Sequence, residues 1–184
     1  EPSAGGGEGT ETTASGDADG GDGSGDDDGL GDTDGVDPLA PLPDDVALPI
    51  VFVHGFAGSA QQYESQAMRY VANGYPPERI VAYEHDGAGF DIEGYTEGLA
   101  AFIDDVLVEH DAEQVHLVGH SRGTSVSTTY LGSPERAAKV ARYIAIDGFP
   151  CPTTVPCLAP TQASLPGQAH VETATSPESF AVQY

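Results

Sequence analysis

From residue 50 onward, short apolar runs alternate with amphipathic stretches. Ile50 to Val53 (IVFV) is β-branched, apolar and ends in a Gly-rich turn, so it predicts a strand buried on both faces. Ser59 stands where it can cap a helix from Ala60 to about Asn73, with Tyr63, Ala67, Tyr70 and Val71 at helical spacing and Gly74 as the stop. Arg79 to Tyr83 (RIVAY) predicts a second strand. Gly94 to about Glu109 predicts a helix with Leu99, Phe102, Ile103, Val106 and Leu107 as its apolar stripe. A third strand is expected over Gln114 to Val118 (QVHLV), a helix over Gly123 to Leu131, and a fourth strand over Arg142 to Ile146 (RYIAI). Beyond Gly148 the chain is rich in Pro and Thr, with weak strand signals and a short helix from Ser176 in which Pro177 suits the first turn. Strands alternating with helices imply an α/β fold, a mostly parallel sheet with helices on both faces.

No such pattern exists in residues 1–46. They hold 14 of the 30 acidic residues and 12 of the 24 glycines, and no Lys, Arg or aromatic residue. Such a segment cannot bury enough apolar surface to offset its ordering entropy, so a disordered acidic Gly/Asp-rich tail or linker is expected there. Residues 47–184 are then the folding unit. Within the tail, DADGGD (17–22) and DDDGLGDTDGVD (26–37) carry the spaced carboxylates of a calcium loop. The closing bidentate Glu and the flanking helices are missing, which favours a plain acidic linker.

Formal net charge is −24. Phosphate-backbone binding needs clustered Lys and Arg, so nucleic acid is not expected as a partner. No apolar run approaches the roughly 20 residues of a membrane-spanning helix. Cys151 and Cys157 lie six apart in a Pro-rich segment (CPTTVPC). That spacing suits a local disulfide in an oxidising compartment, with free thiols as the alternative, and two thiols are too few for a metal site. With the acidic tail this points to an exported protein, secreted, periplasmic or surface-tethered.

The candidate chemistry centres on Gly119-His120-Ser121-Arg122-Gly123, which follows the third strand and runs into a helix. That is the context a G-x-S-x-G nucleophile elbow requires. The turn is too tight for side chains two residues either side of the serine, and the helix N-terminus favours a developing oxyanion. The alternative is an ordinary Gly-rich turn with a capping Ser. Upstream, the first strand ends in His54-Gly55-Phe56-Ala57-Gly58. Here His54 reads as a brace for the turn rather than as a general base.

PIVFVHGFAGSAQQYESQAMRYVANGYP and QVHLVGHSRGTSVSTTYL resemble bacterial secreted lipases and esterases of the α/β-hydrolase superfamily. The resemblance implies a small α/β-hydrolase-type domain, Ser121 as nucleophile, and the Phe56 and Arg122 N–H groups as the oxyanion hole. It also implies a general-base His in a loop near the carboxyl end. LPGQAHVETATSPESF resembles that loop, which selects His170, and among six histidines only His170 follows the last clear strand. His120 is expected to point away from Ser121. The acid is less plainly marked, because no Asp or Glu lies between Val155 and His170. Asp147, after the fourth strand, is the expected acid, with a turn-capping role as the alternative and Glu172 and Asp86 as remoter candidates.

The implied activity is carboxylic ester hydrolysis of a small-molecule or lipid ester through an acyl-enzyme, with no metal or cofactor needed. Two other readings are a catalytically inactive binding module of the same fold and a calcium-binding surface protein acting through its tail. Natural substrate and oligomeric state are not legible in the residues.

Overall fold

A computed structural model describes residues 47–184, so the expected tail and its calcium-loop patterns lie outside the described residues. The described chain forms a five-stranded parallel sheet in the order β2-β1-β3-β4-β5. The strands are β1 (Ile50–Val53), β2 (Ile80–Tyr83), β3 (Val115–His120), β4 (Val140–Ile146) and β5 (Cys157–Leu158). The helices are α1 (Glu64–Ala72), α2 (Ile92–Glu109), α3 (Arg122–Leu131), α4 (Pro134–Ala137), α5 (Glu172–Thr175) and α6 (Pro177–Gln183). The α/β architecture therefore holds.

Alternation along each strand splits the core in two. Val51, Val53, Leu117, Tyr143 and Ala145 pack against Leu99, Ile103 and Val106 of α2 and Val126 and Tyr130 of α3. Ile50, Phe52, Val118 and Ile146 face the other way, toward Tyr63, Tyr70, Ala174 and Phe180. All four residues of β1 are buried, as a strand covered on both faces requires.

Three details depart from the sequence pattern. Ser59 makes no side-chain cap; Ala60 opens a 3-10 turn whose N–H donates to Glu84 Oε2 at 2.8 Å, so a carboxylate from the end of β2 does the capping. Of the expected apolar stripe, Tyr63 and Tyr70 are buried and Ala67 is half-buried, whereas Val71 is exposed and Gln66 is buried instead. The weak signals after Gly148 become β5, a two-residue strand parallel to β4. Cys151 and Cys157 are disulfide-bonded, with Cα atoms 5.7 Å apart, and close the loop that leads into it. Among the described residues, no helix is long and apolar enough to cross a membrane.

Chain direction locates the working edge. The chain runs from β1 outward to β2, then crosses back to β3 on the other side of β1. Such a reversal opens a crevice beyond the carboxyl ends of the two central strands.

Leu99 is fully buried between α2 and the sheet. Leu99→Ala should lose about 2–5 kcal/mol in urea unfolding, whereas Val71→Ser on the exposed face of α1 should change stability by no more than about 0.5 kcal/mol.

Candidate active site

β3 ends at His120, and Ser121 makes the bend into α3 with φ 53° and ψ −121°. Positive φ in a non-glycine residue costs on the order of 1–3 kcal/mol and persists only where the surroundings over-determine it. Here they do. The Ser121 N–H donates to Ile146 O at 2.9 Å, and its carbonyl accepts from Thr124 Oγ1 at 2.6 Å. A side chain at Gly119 would come within 2.9 Å of Ser127 Oγ, and one at Gly123 would overlap the Val53 carbonyl. The two glycines of the motif thus let the elbow seat against β1.

The end of β1 meets the elbow directly. A Cβ on Gly55 would lie 2.9 Å from Ser121 Cβ. His54 is wholly buried, its Nδ1 2.9 Å from Gly55 O and its Nε2 3.0 Å from Glu84 Oε1, and its ring stacks on His85 at 3.9 Å. Desolvation, and then the neighbouring His54, pull the His85 pKa below its usual value. Glu84 therefore serves the turn after β1 twice, bracing His54 and capping the 3-10 turn.

Arg122 opens α3, so its N–H has no acceptor within the helix. Its guanidinium turns to the loop after β2. There it donates to the carbonyls of Asp86 (3.0 Å), Gly87 (2.6 Å) and Gly89, and lies 5.0 Å from the Phe56 ring centroid. Gly87 O also accepts from Ala57 N at 2.7 Å, so this loop is tied to the Phe56 turn. Phe56, Phe90, Phe149 and Val171 are exposed apolar residues from the loops at this carboxyl edge of the sheet.

Asp147 follows β4 directly, also at positive φ (46°). Its Oδ2 lies 2.6 Å from His170 Nδ1. The Asp147 N–H donates to Pro160 O at 2.8 Å, and Asp147 Oδ1 accepts from Gln162 N at 3.4 Å. Gly148 fits against the elbow, where a Cβ would come 2.6 Å from Ser121 O. Asp147 and His170, 23 residues apart, are thus paired at the same edge as Ser121. The remoter candidates are engaged elsewhere: Glu172 Oε2 accepts from Ala169 N at 2.6 Å, and Asp86 Oδ1 from Ala88 N at 2.9 Å.

His120 is a component that sequence reasoning missed. Its buried ring sits 4.7 Å from the His170 ring, with Nε2 2.8 Å from His170 O and Nδ1 3.0 Å from Gln62 Nε2. Burial, the dominant cause, lowers its pKa to about 4, so it is neutral at physiological pH. No local signal marks it, since its partners lie 58 residues upstream and 50 downstream. Among the described residues, no group of three or more His, Cys, Asp or Glu side chains is placed to hold a metal ion. A cavity of about 450 Å³ lined by Tyr70, Tyr75, His116, Arg142 and Tyr184 includes none of the residues named at the elbow.

A parallel α/β sheet with a strained serine elbow at its switch point, and a paired Asp and His on the same carboxyl edge, matches a hydrolase-type scaffold. The chain belongs to the family described as alpha/beta hydrolase fold, whose model matches residues 49–170. A putative non-heme chloroperoxidase from Synechocystis is 31% identical over 107 residues, covering 55% of this chain and 38% of that protein. Among solved structures, a Bacillus licheniformis lipase in its mature form is 26% identical with a TM-score of 0.49, covering 59% of this chain and 44% of the lipase. An extracellular α/β-hydrolase from a Paenibacillus species is 22% identical with a TM-score of 0.45, covering 57% and 42%. The chain therefore spans less than half the length of each of these three relatives.

The folded His120 pKa lies below the ordinary 6.5, so on acidification the unfolded chain takes up its proton first. The neutral ring's stabilising contribution is complete above pH 6.5 and is lost as pH falls to about 4, a change on the order of 3 kcal/mol. Burial shifts His85 and His116 in the same direction. Urea unfolding at pH 7 and pH 4.5 should show this loss in the wild type and a smaller one in His120→Gln.

Proposed function

We propose that the protein is a serine hydrolase that cleaves carboxylic esters through Ser121, His170 and Asp147. The observation that carries this reading is the 2.6 Å pairing of His170 Nδ1 with Asp147 Oδ2 at the edge where Ser121 makes its strained turn. A carboxylate on Nδ1 keeps that nitrogen protonated and leaves Nε2 free to act as a base. Nε2 takes the Ser121 proton as Oγ attacks the ester carbonyl. The N–H groups of Phe56 and Arg122 hold the oxyanion, aided by the positive end of α3. His170 then returns the proton to the leaving alcohol. Water, activated by the same imidazole, releases the acid from the acyl-enzyme and restores Ser121. Asp147 stabilises the transient imidazolium.

The rim supports a substrate class. Phe56, Phe90, Phe149 and Val171 offer apolar contact for an acyl chain. The described residues carry a net charge of −10 and would repel anionic substrates and anionic membrane surfaces. Uncharged esters of short to medium chain length fit this edge best. Export suits the Cys151–Cys157 disulfide, which persists in oxidising compartments.

A fluorophosphonate probe should label Ser121, as read by peptide mapping, and Ser121→Ala should abolish both labelling and ester hydrolysis. A wild type that is neither labelled nor active would leave a binding module of the same fold. Asp147→Asn should lower kcat by about 10⁴-fold, since the wrong tautomer is then stabilised. Across a nitrophenyl ester series, kcat/KM should peak at short to medium chains; a steep rise toward long chains would contradict the proposed substrate class.

A further inference from the structure

His120 lies between the proposed nucleophile and Gly119 in the chain, yet its side chain serves another element. The ring is almost wholly buried. Gln62 Nε2, 3.0 Å from Nδ1, belongs to an amide –NH₂ and can only donate. His170 O, 2.8 Å from Nε2, can only accept. These two partners select one state, the neutral imidazole with its proton on Nε2. Gln62 sits in the 3-10 turn that follows the Phe56 loop, and a Cβ on Gly58 would come 2.7 Å from its Oε1.

His170 needs such support. It lies in a loop, its side chain is 49% exposed, and Asp147 is its side chain's one hydrogen-bond partner among the described residues. Its carbonyl accepts twice, from Thr173 Oγ1 at 2.6 Å and from His120 Nε2. The Thr173 bond is local and moves with the loop; the His120 bond ties the loop to the sheet. Since Ser121 follows His120 directly, a rigid five-membered ring spans from the nucleophile's own strand to the backbone of the base.

We propose that His120 is a positioning residue that sets the separation of Ser121 and His170, with Gln62 holding it in the required tautomer. This rests on the serine-hydrolase reading. Misplacing a reacting group by about 1 Å can cost on the order of 100-fold in rate, so losing the clamp should appear in kcat. His120→Phe keeps a buried ring of similar size without the donor. It should lower kcat by about 10- to 100-fold, with KM for a short nitrophenyl ester changed less than about twofold. His120→Gln, whose amide can donate to the same carbonyl, should recover most of the loss. Gln62→Leu should fall between them, and it carries the test if the Phe variant does not fold. A kcat for His120→Phe within about twofold of wild type, or a Gln variant no better than Phe, would overturn the proposal.

The imidazole ¹⁵N spectrum of the wild type provides a readout that needs no turnover. At neutral pH, His120 protonated on Nε2 supports the clamp, and protonation on Nδ1 refutes it. A wild type that shows the expected tautomer but hydrolyses no ester counts against the hydrolase reading and not against the clamp.

Discussion

The site depends on how closely the ends of β1 and β3 approach each other. Gly123 comes so near the Val53 carbonyl that no side chain fits, and a Cβ on Gly55 would lie 2.9 Å from Ser121 Cβ. Two buried parallel strands in register bring these turns together, since Val53 pairs with Gly119. That contact drives Ser121 to positive φ and leaves Arg122 as the first residue of α3. The strain at one residue is offset by the sheet, by the Ile146 carbonyl and by Thr124, so the bend is a consequence of packing and not of flexibility.

Around that contact, the residues flanking Ser121 divide the work of organising the edge. On one side His120 reaches the loop that carries His170. On the other, Arg122 gathers three carbonyls of the loop after β2 and faces the Phe56 ring. Thr124, one turn into α3, accepts from Phe149 N at 2.6 Å and so holds the loop beyond Asp147. The five-residue stretch from His120 to Thr124 therefore contacts every loop that supplies a proposed catalytic group. The Cys151–Cys157 bond and β5 brace the last of these, since Asp147 leans on Pro160 and Gln162 just beyond them.

The parallel α/β architecture was legible because its signals are short-range. The run IVFV has no polar residue to expose, and β3 and β4 read almost as plainly. Helix starts were less legible. Ser59 looked like a cap, but Glu84 arrives from a neighbouring strand and takes the N–H instead. Val71 fell on the expected apolar stripe of a helix starting at Ala60; the helix starts at Glu64, and the polar Gln66 is buried while Val71 is exposed. The strand β5 is only two residues long and exists because β4 offers it a ladder. No propensity argument could have placed it.

The position of the elbow was legible in the amino-acid sequence alone, because its motif is local, although the contacts that hold its bend come from Val53 and Ile146 on other strands. Glycines two residues either side of a serine, between an apolar strand and a helix, leave one tight turn available, and the atoms that forbid larger residues lie within a few ångströms. Pairing Asp147 with His170, and seating His120 between Gln62 and His170, was decided only by the tertiary structure. Those partners are 23 to 58 residues apart, and their meeting depends on which loops the strand order delivers to the same edge of the sheet. Periodicity reports which face of an element is buried. It carries no information about which distant side chain will be waiting there.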